Sequence, residues 1–235
     1  VGEGNRRAAL FLDEHYNRLR QTLESLYRVN GFFVSLKQFR RRIEQVLGDC
    51  KLHPLKIKVV ATRQNMVMVP SHLKERRGDD GVVVMGKMLL REHPELKMFR
   101  RDDLDLAYRY AQSEGFYECL IRTQGQYTEG TKTNVLFVKD GVLFWCPRGL
   151  PGITQSHILE SAIKNGIRVK DGSLQLSNPA MTVDEVFLTG TSDLITPVQS
   201  VPGIRILKTM QRPVTKKLIE LLDWDIAAYL LDHAA

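Results

Sequence analysis

Apolar positions along the chain alternate between two periods, and the switches mark its elements. Between Asp13 and Tyr27, the residues Tyr16, Leu19, Leu23, Leu26 and Tyr27 recur at helical spacing, and Gly31 closes the unit. Ser35 stands where an N-cap belongs, ahead of a second helix with Leu36, Phe39, Ile43, Val46 and Leu47, followed by Gly48-Asp49. Lys56 to Thr62 alternates before turning fully apolar, a strand pattern, and Val67-Met68-Val69 and Val82 to Met85 are further strands. The polar stretch from Pro70 to Gly81 reads as a connection. A third helix fits Asp103 to Ser113, with Leu104, Ala107, Tyr108 and Ala111 on one face and Gly115 beyond its end. Strands follow at Tyr117 to Arg122, Val135 to Val138 and Val142 to Cys146. The last two are joined by Lys139-Asp140-Gly141, whose Asp-Gly is a hairpin turn signal. Gln155 to Lys164 reads as a helix ended by Asn165-Gly166. Glu185 to Leu188 and Leu194 to Gln199 read as strands, and Val214 to Leu231 as a terminal helix with Leu218, Leu221 and Leu222.

Mixed helices and strands, with hairpins gathered late, predict an α+β fold in two parts. A smaller, helix-rich α/β domain would span 1–80, and a larger, strand-rich domain 81–235. There is no internal repeat.

Composition narrows the function classes. The 235 residues are 43% hydrophobic and 26% charged, ordinary for a globular chain with a sizeable core. No apolar run approaches the roughly 20 residues needed to span a bilayer, so no membrane partner is expected. Cys50, Cys119 and Cys146 are odd in number and far apart, without a Cys-x-x-Cys pair. They predict reduced thiols in a cytoplasmic protein, with no metal site. The formal net charge of +7 raises the question of nucleic acid. Arg40-Arg41-Arg42 falls on the polar side of the second helix, and Lys74-Glu75-Arg76-Arg77 beside a Gly-Asp-Asp-Gly loop. Neither run has interleaved aromatics, so no nucleic-acid partner is expected. A basic surface also suits small anionic ligands.

Three segments carry candidate chemistry. Tyr127-Thr128-Glu129-Gly130-Thr131-Lys132-Thr133-Asn134 reads as a tight polar loop between strands, framing one acid with small hydroxyl residues. Leu150-Pro151-Gly152-Ile153-Thr154 leads into a helix, where Gly152 permits close backbone approach and free N–H groups attract an anion. Thr189-Gly190-Thr191-Ser192 is a second Gly-centred, hydroxyl-rich loop at a strand end. Together they suggest a phosphate-bearing ligand with a polar ring atom.

In this order, Glu129-Gly130-x-x-x-Asn134, Leu150-Pro151-Gly152-Ile153-Thr154 and Glu185-Val186-Phe187-Leu188-Thr189-Gly190-Thr191 resemble the class IV (fold-type IV) pyridoxal-phosphate-dependent aminotransferases. That group includes branched-chain and D-amino acid aminotransferases and aminodeoxychorismate lyase. Leu12-Asp13-Glu14-His15-Tyr16-Asn17-Arg18-Leu19 is similar to the family's early Leu-x-x-His-x-x-Arg-Leu, and His93-Pro94-Glu95-Leu96-Lys97 to its lysine segment.

The resemblance implies a small α/β half and a larger strand-rich pseudobarrel half, and pyridoxal 5'-phosphate as cofactor. It implies that Lys97 carries the cofactor as a Schiff base and moves the proton at the substrate α-carbon. Lys87 is the competing lysine. Glu129 would hold the pyridine nitrogen. Arg18 would bind the phosphate, with Gly152, Ile153, Thr154, Gly190 and Thr191. Arg100 and Arg101 are candidates for a substrate carboxylate, although both also fit a solvated helix start. His15 fits either the phosphate pocket or packing. The implied reaction is transamination between an amino acid and a 2-keto acid in a homodimer. The alternative within the family is the lyase reaction, releasing pyruvate and 4-aminobenzoate. A non-enzymatic basic binding protein on the same scaffold is an alternative of another class.

Some features differ from the family's usual pattern. Nothing like its first Phe/Tyr-Glu-Thr strand precedes Phe11, so further residues are expected ahead of this sequence. The run before Leu150 is short. Met98-Phe99-Arg100-Arg101 follows Lys97 without the tyrosine of the branched-chain enzymes. Lys132 would either lie outside the Glu129 loop or compete for its carboxylate.

Overall fold

The structure is a computed structural model that describes residues 8–29, 31–52, 54–73, 81–172 and 182–233. It divides into two compact units. One comprises Val1–Glu75, Lys97–Phe99 and Asp223–Ala235, the other Arg76–Leu96 and Arg100–Leu222. The chain thus passes between units more than once, where the hydrophobic pattern suggests one boundary at residue 80. The basic run beginning at Lys74 lies outside the described residues.

In the first unit, α1 (Leu12–Tyr27) and α2 (Leu36–Asp49) precede a hairpin of β1 (Leu55–Ala61) and β2 (Met66–His72). Ser35 caps α2 by the box its sequence encodes. Its side chain accepts from the Gln38 N–H while Gln38 accepts from the Ser35 N–H. Tyr16, Phe39 and Ile43 bury one face of each helix around Val34, with Ile57, Val59, Met66 and Met68 of the hairpin against them. Pro70-Ser71-His72 is strand rather than connection, paired with Ile57, Lys56 and Leu55. Pro70 fits there because a two-stranded sheet leaves each strand an edge where no N–H is needed. Arg40 of the basic run donates to Asp13 Oδ1 at 2.7 Å.

The second unit opens with β3 (Val82–Met88) and α3 (Asp102–Ser113). Next come β4 (Glu118–Thr123), β5 (Gln126–Gly130), β6 (Asn134–Lys139) and β7 (Val142–Trp145). Helix α4 (Ile153–Lys164), β8 (Arg168–Asp171), β9 (Thr182–Val183), β10 (Glu185–Gly190), β11 (Leu194–Ser200), β12 (Arg205–Ile206) and α5 (Pro213–His233) complete the order. Among the described residues, eight strands form one sheet in the order β5-β4-β3-β11-β10-β6-β7-β8. β9 and β12 make a small parallel pair. The mixed helices and strands, with the strands gathered in the second unit, make the α+β architecture that the sequence pattern predicts.

Local chemistry explains the hairpins. Asp140 and Gly141 link β6 and β7 with φ of 51° and 71°, the conformation of a two-residue turn that matches strand twist. Gln124 and Gly125 do the same between β4 and β5, at 51° and 76°. Val84, Leu120, Tyr127, Val135, Phe137, Val186, Leu188 and Val198 pack one core. Each such side chain contributes roughly 1.5–3 kcal/mol on burial. Glu185, at the start of β10, caps α5: its carboxylate accepts from the N–H groups of Val214 at 3.0 Å and Thr215 at 2.7 Å. Among the described residues no helix is long and apolar enough to cross a membrane.

Candidate functional site

The segment around Glu129 is not the loop its polar composition suggests. Its first half is β5, antiparallel to β4, and only Thr131 to Thr133 turn before β6 begins at Asn134. Two forces outweigh composition. Tyr127 buries its ring, with its hydroxyl donating to the Pro202 carbonyl at 2.8 Å, and Gly86 on β3 leaves the space that ring occupies. The second force is Glu118, a residue only 1% exposed. Its carboxylate accepts from the backbone N–H groups of Cys119 (2.8 Å), Thr131 (3.2 Å) and Lys132 (3.1 Å), and from the hydroxyls of Thr131 and Thr133. One buried acid therefore gathers two backbone N–H groups and two hydroxyls of the turn, and the Thr131 N–H is shared with the Cys119 carbonyl at 3.0 Å. Burial raises the Glu118 pKa, and these hydrogen bonds oppose the rise. Burial, with Glu118 beside it, also pushes the neighbouring Cys119 thiol up to about 11.

Glu129 is 4% exposed and is held at both oxygens. Arg91 Nη1 donates to Oε1 at 2.6 Å, and the Leu150 backbone N–H donates to Oε2 at 3.0 Å. Each carboxylate oxygen has a second lone pair, so the acid can still receive a further donor. Gly149 approaches so closely that a Cβ there would lie 3.0 Å from the Thr128 carbonyl oxygen and 3.1 Å from Glu129 Cβ.

The same strand end is stitched to the other two motifs. Asn134 Nδ2 donates to the Leu150 carbonyl at 2.7 Å, and its Oδ1 fills the place a Cβ on Gly152 would need. Gly152 is the N-cap of α4. It offers no side-chain cap, and the first turn holds no acid. The first N–H groups of that helix lack intrahelical acceptors and carry the positive end of its dipole. Thr154 is buried and Ile153 partly so. Thr189 pairs with Asn134 in the sheet register, which brings Gly190 to the same strand end. A Cβ on Gly190 would meet Lys132 O and Thr133 Cγ2 only at 3.8 Å, so the position is open rather than sterically forced. Thr191 is exposed. Glu129, Gly152, Ile153, Thr154, Gly190 and Thr191 all belong to the second unit.

The remaining candidates divide as follows. Lys132 Nζ lies over the Tyr108 ring, 3.3 Å from the centroid, a cation–π contact with a residue of α3. Arg100 is exposed and pairs with Asp102 at 3.0 Å. Arg101 donates to the Thr131 carbonyl at 2.9 Å and to Asp105 at 2.9 Å, which ties it to the turn and to α3. Lys87 is exposed on β3. Lys97 is exposed in the irregular segment between β3 and α3 and belongs to the first unit, where Lys58 Nζ sits 4.8 Å over the neighbouring Phe99 ring. Arg18, also in the first unit, is half-buried on α1, as is His15, and burial lowers the Arg18 pKa from its ordinary value. Arg91, Glu118 and Gly149 escape sequence reasoning. Arg91 and Glu118 leave a trace as charges at the end of and inside apolar runs, Leu89-Leu90-Arg91 and Tyr117-Glu118-Cys119-Leu120, and Gly149 leaves none.

Residues 3–201 match the family described as amino-transferase class IV. The chain belongs to that family. Among curated class IV relatives, a branched-chain-amino-acid aminotransferase of Salmonella typhimurium is 39% identical over 112 residues, which cover 46% of this chain and 36% of that protein. A D-alanine aminotransferase of Listeria monocytogenes is 34% identical over 117 residues, 48% of this chain and 40% of its own length. These matches span well under half of either relative. Two solved structures share the fold. A branched-chain amino acid aminotransferase from T.th., solved with pyridoxamine 5'-phosphate, has a TM-score of 0.75 at 20% identity, covering 92% of this chain and 79% of its own. A Legionella pneumophila protein assigned as a 4-amino-4-deoxychorismate lyase has a TM-score of 0.76 at 21% identity, covering 92% and 85%.

Proposed function

We propose that the chain binds pyridoxal 5'-phosphate and transfers an amino group between an amino acid and a 2-keto acid. The observation that carries this reading is the stitching of Glu129 to Leu150, two residues ahead of Gly152, the N-cap that gives α4 no side-chain cap. A buried acid for a ring nitrogen and a dipole end for a phosphate are thereby built into one piece of the second unit. The residues present fit the cofactor on these grounds: Glu129 retains acceptor capacity, and Gly152 leaves backbone N–H groups as the ligands of an anion.

When bound, the cofactor would supply an electron sink that lets the α-carbon of an amino acid give up a proton. Glu129 would hold the ring nitrogen. The Ile153 and Thr154 N–H groups, the Thr154 and Thr191 hydroxyls and the Arg18 guanidinium would hold the phosphate, with Gly190 leaving room beside them. Lys97 would attach the cofactor through Nζ, and its amine would then move the proton at the α-carbon. Family membership and the lysine segment support Lys97 over Lys87. Family likeness also leads us to propose a homodimer.

The test is colour and mass. Purified protein should be yellow, should bleach with borohydride to a stable adduct mapped to Lys97, and should be colourless as Lys97→Ala. Full-length protein that takes up no pyridoxal phosphate would sink the reading. The lyase alternative draws on the Legionella relative's fold. It predicts pyruvate from aminodeoxychorismate with no keto-acid acceptor present.

A further inference from the structure

Arg91 makes three side-chain hydrogen bonds with one fork. Nη1 donates to Glu129 Oε1 at 2.6 Å, while Nη2 donates to the carbonyls of Leu96 at 3.1 Å and His93 at 3.3 Å. The second pair of bonds closes a turn that Leu96 N already makes to His93 O at 3.2 Å. Leu96 is itself buried, and its carbonyl belongs to the peptide that leads into Lys97. The Arg91 and Glu129 side chains are 14% and 6% exposed, so water competes little for the bond between them, whereas the bond to the His93 carbonyl lies at the surface. With Leu150 N on its other oxygen, Glu129 is gripped from two sides and cannot rotate without breaking one grip.

We propose that Arg91 is a positioning residue for the cofactor site, fixing the ring-nitrogen acid Glu129 and the peptide entering Lys97 to a single rigid guanidinium. The proposal rests on the reading of Glu129 and Lys97 given above. Its logic is geometric. A planar fork can hold a carboxylate on one nitrogen and two carbonyls on the other, with all three acceptors near one plane. Lysine keeps the charge but presents a single flexible point, and glutamine loses the charge as well. Holding the turn and the acid together preorganises both before any ligand arrives. The cation also stands beside the acid that would face the ring. Its removal should therefore favour the protonated form of a bound cofactor.

The test compares the full chain as wild type, Arg91→Lys and Arg91→Gln. In cofactor-free protein, amide hydrogen exchange over residues 92–97 should accelerate at least about tenfold in both variants, with β6 and β10 unchanged. Pyridoxal phosphate affinity, followed by fluorescence titration, should fall at least about tenfold in both. The pH midpoint of the bound cofactor's visible absorbance should rise in Arg91→Gln and hold in Arg91→Lys. An Arg91→Lys protein with wild-type exchange and affinity would overturn the proposal. So would exchange that accelerates equally across the whole second unit, because the arginine would then serve the fold alone. Wild-type protein that takes up no pyridoxal phosphate would overturn the proposed function and this inference with it. A wild type that loads normally beside variants that do so equally well would overturn only the role given to Arg91.

Discussion

Glu118 lies directly beneath Gly130: a Cβ on that glycine would come within 3.0 Å of both Glu118 Cγ and Oε2, and would strike the Thr133 hydroxyl. The acid and the missing side chain are one device. Substituting Gly130→Ala should displace the carboxylate from its donors and cost about 1–3 kcal/mol by overpacking. Calorimetry should show a melting midpoint lower by several degrees. An unchanged midpoint would mean that the turn can yield.

The same acid gives stability a pH dependence of definite sign. Its folded pKa is raised above the ordinary 4.5, chiefly by burial, so over that window the folded chain holds more protons than the unfolded one. Stability from this group is therefore lost as pH rises from about 4.5 through the raised value. Glu118→Gln should be less stable overall, since an amide oxygen cannot serve five donors, yet should show a shallower loss across that range. Urea midpoints at steps between pH 4.5 and 7 would check it.

Gly141 offers a purely conformational test. Its φ is 71°, and nothing lies within 4 Å of where a Cβ would stand. Gly141→Ala should cost about 1 kcal/mol from backbone strain alone, with no repacking. A chemical-denaturation series resolves a change of that size. Gly152→Ala, whose Cβ would collide with Asn134 Oδ1, should cost more and should also weaken phosphate-ester binding.

On the proposed function, Glu129→Gln keeps the shape of the side chain and removes its charge. The kcat for transamination should drop by about 100-fold or more, as when a preorganised electrostatic partner is lost. Amino-acid half-reactions followed by stopped-flow absorbance would measure it. A loss confined to KM would assign Glu129 to binding only.

Much of the fold was legible because burial imposes a period. α1, α2, β1, β3, α3, β6, β7, α4, β10, β11 and α5 each fall within a few residues of their apolar patterns, and Asp140-Gly141 and Ser35 mark their turn and cap by local chemistry. β5 was not legible, because Gln126-Tyr127-Thr128-Glu129-Gly130 is polar by composition. Its burial depends on Glu118, a residue from the neighbouring strand. The roles of Arg91 and Gly149 are likewise non-local, since the Glu129 carboxylate, 38 positions from Arg91, and the Thr128 carbonyl against Gly149 define them. The roles of Lys97 and Arg18 rest on the order of motifs, whereas the Glu129 cluster has geometry of its own.

β10 acts as a ruler. Its first residue, Glu185, is anchored to the start of α5, and its last, Gly190, ends beside the Thr131–Thr133 turn, with Thr189 in register with Asn134. Each residue spans about 3.3 Å and faces opposite to the next. A single insertion or deletion between those ends would shift one anchor by that distance and turn the intervening side chains inside out. Changes in chain length near this site must therefore be absorbed by loops, and the span of β10 should be a fixed dimension of any working variant.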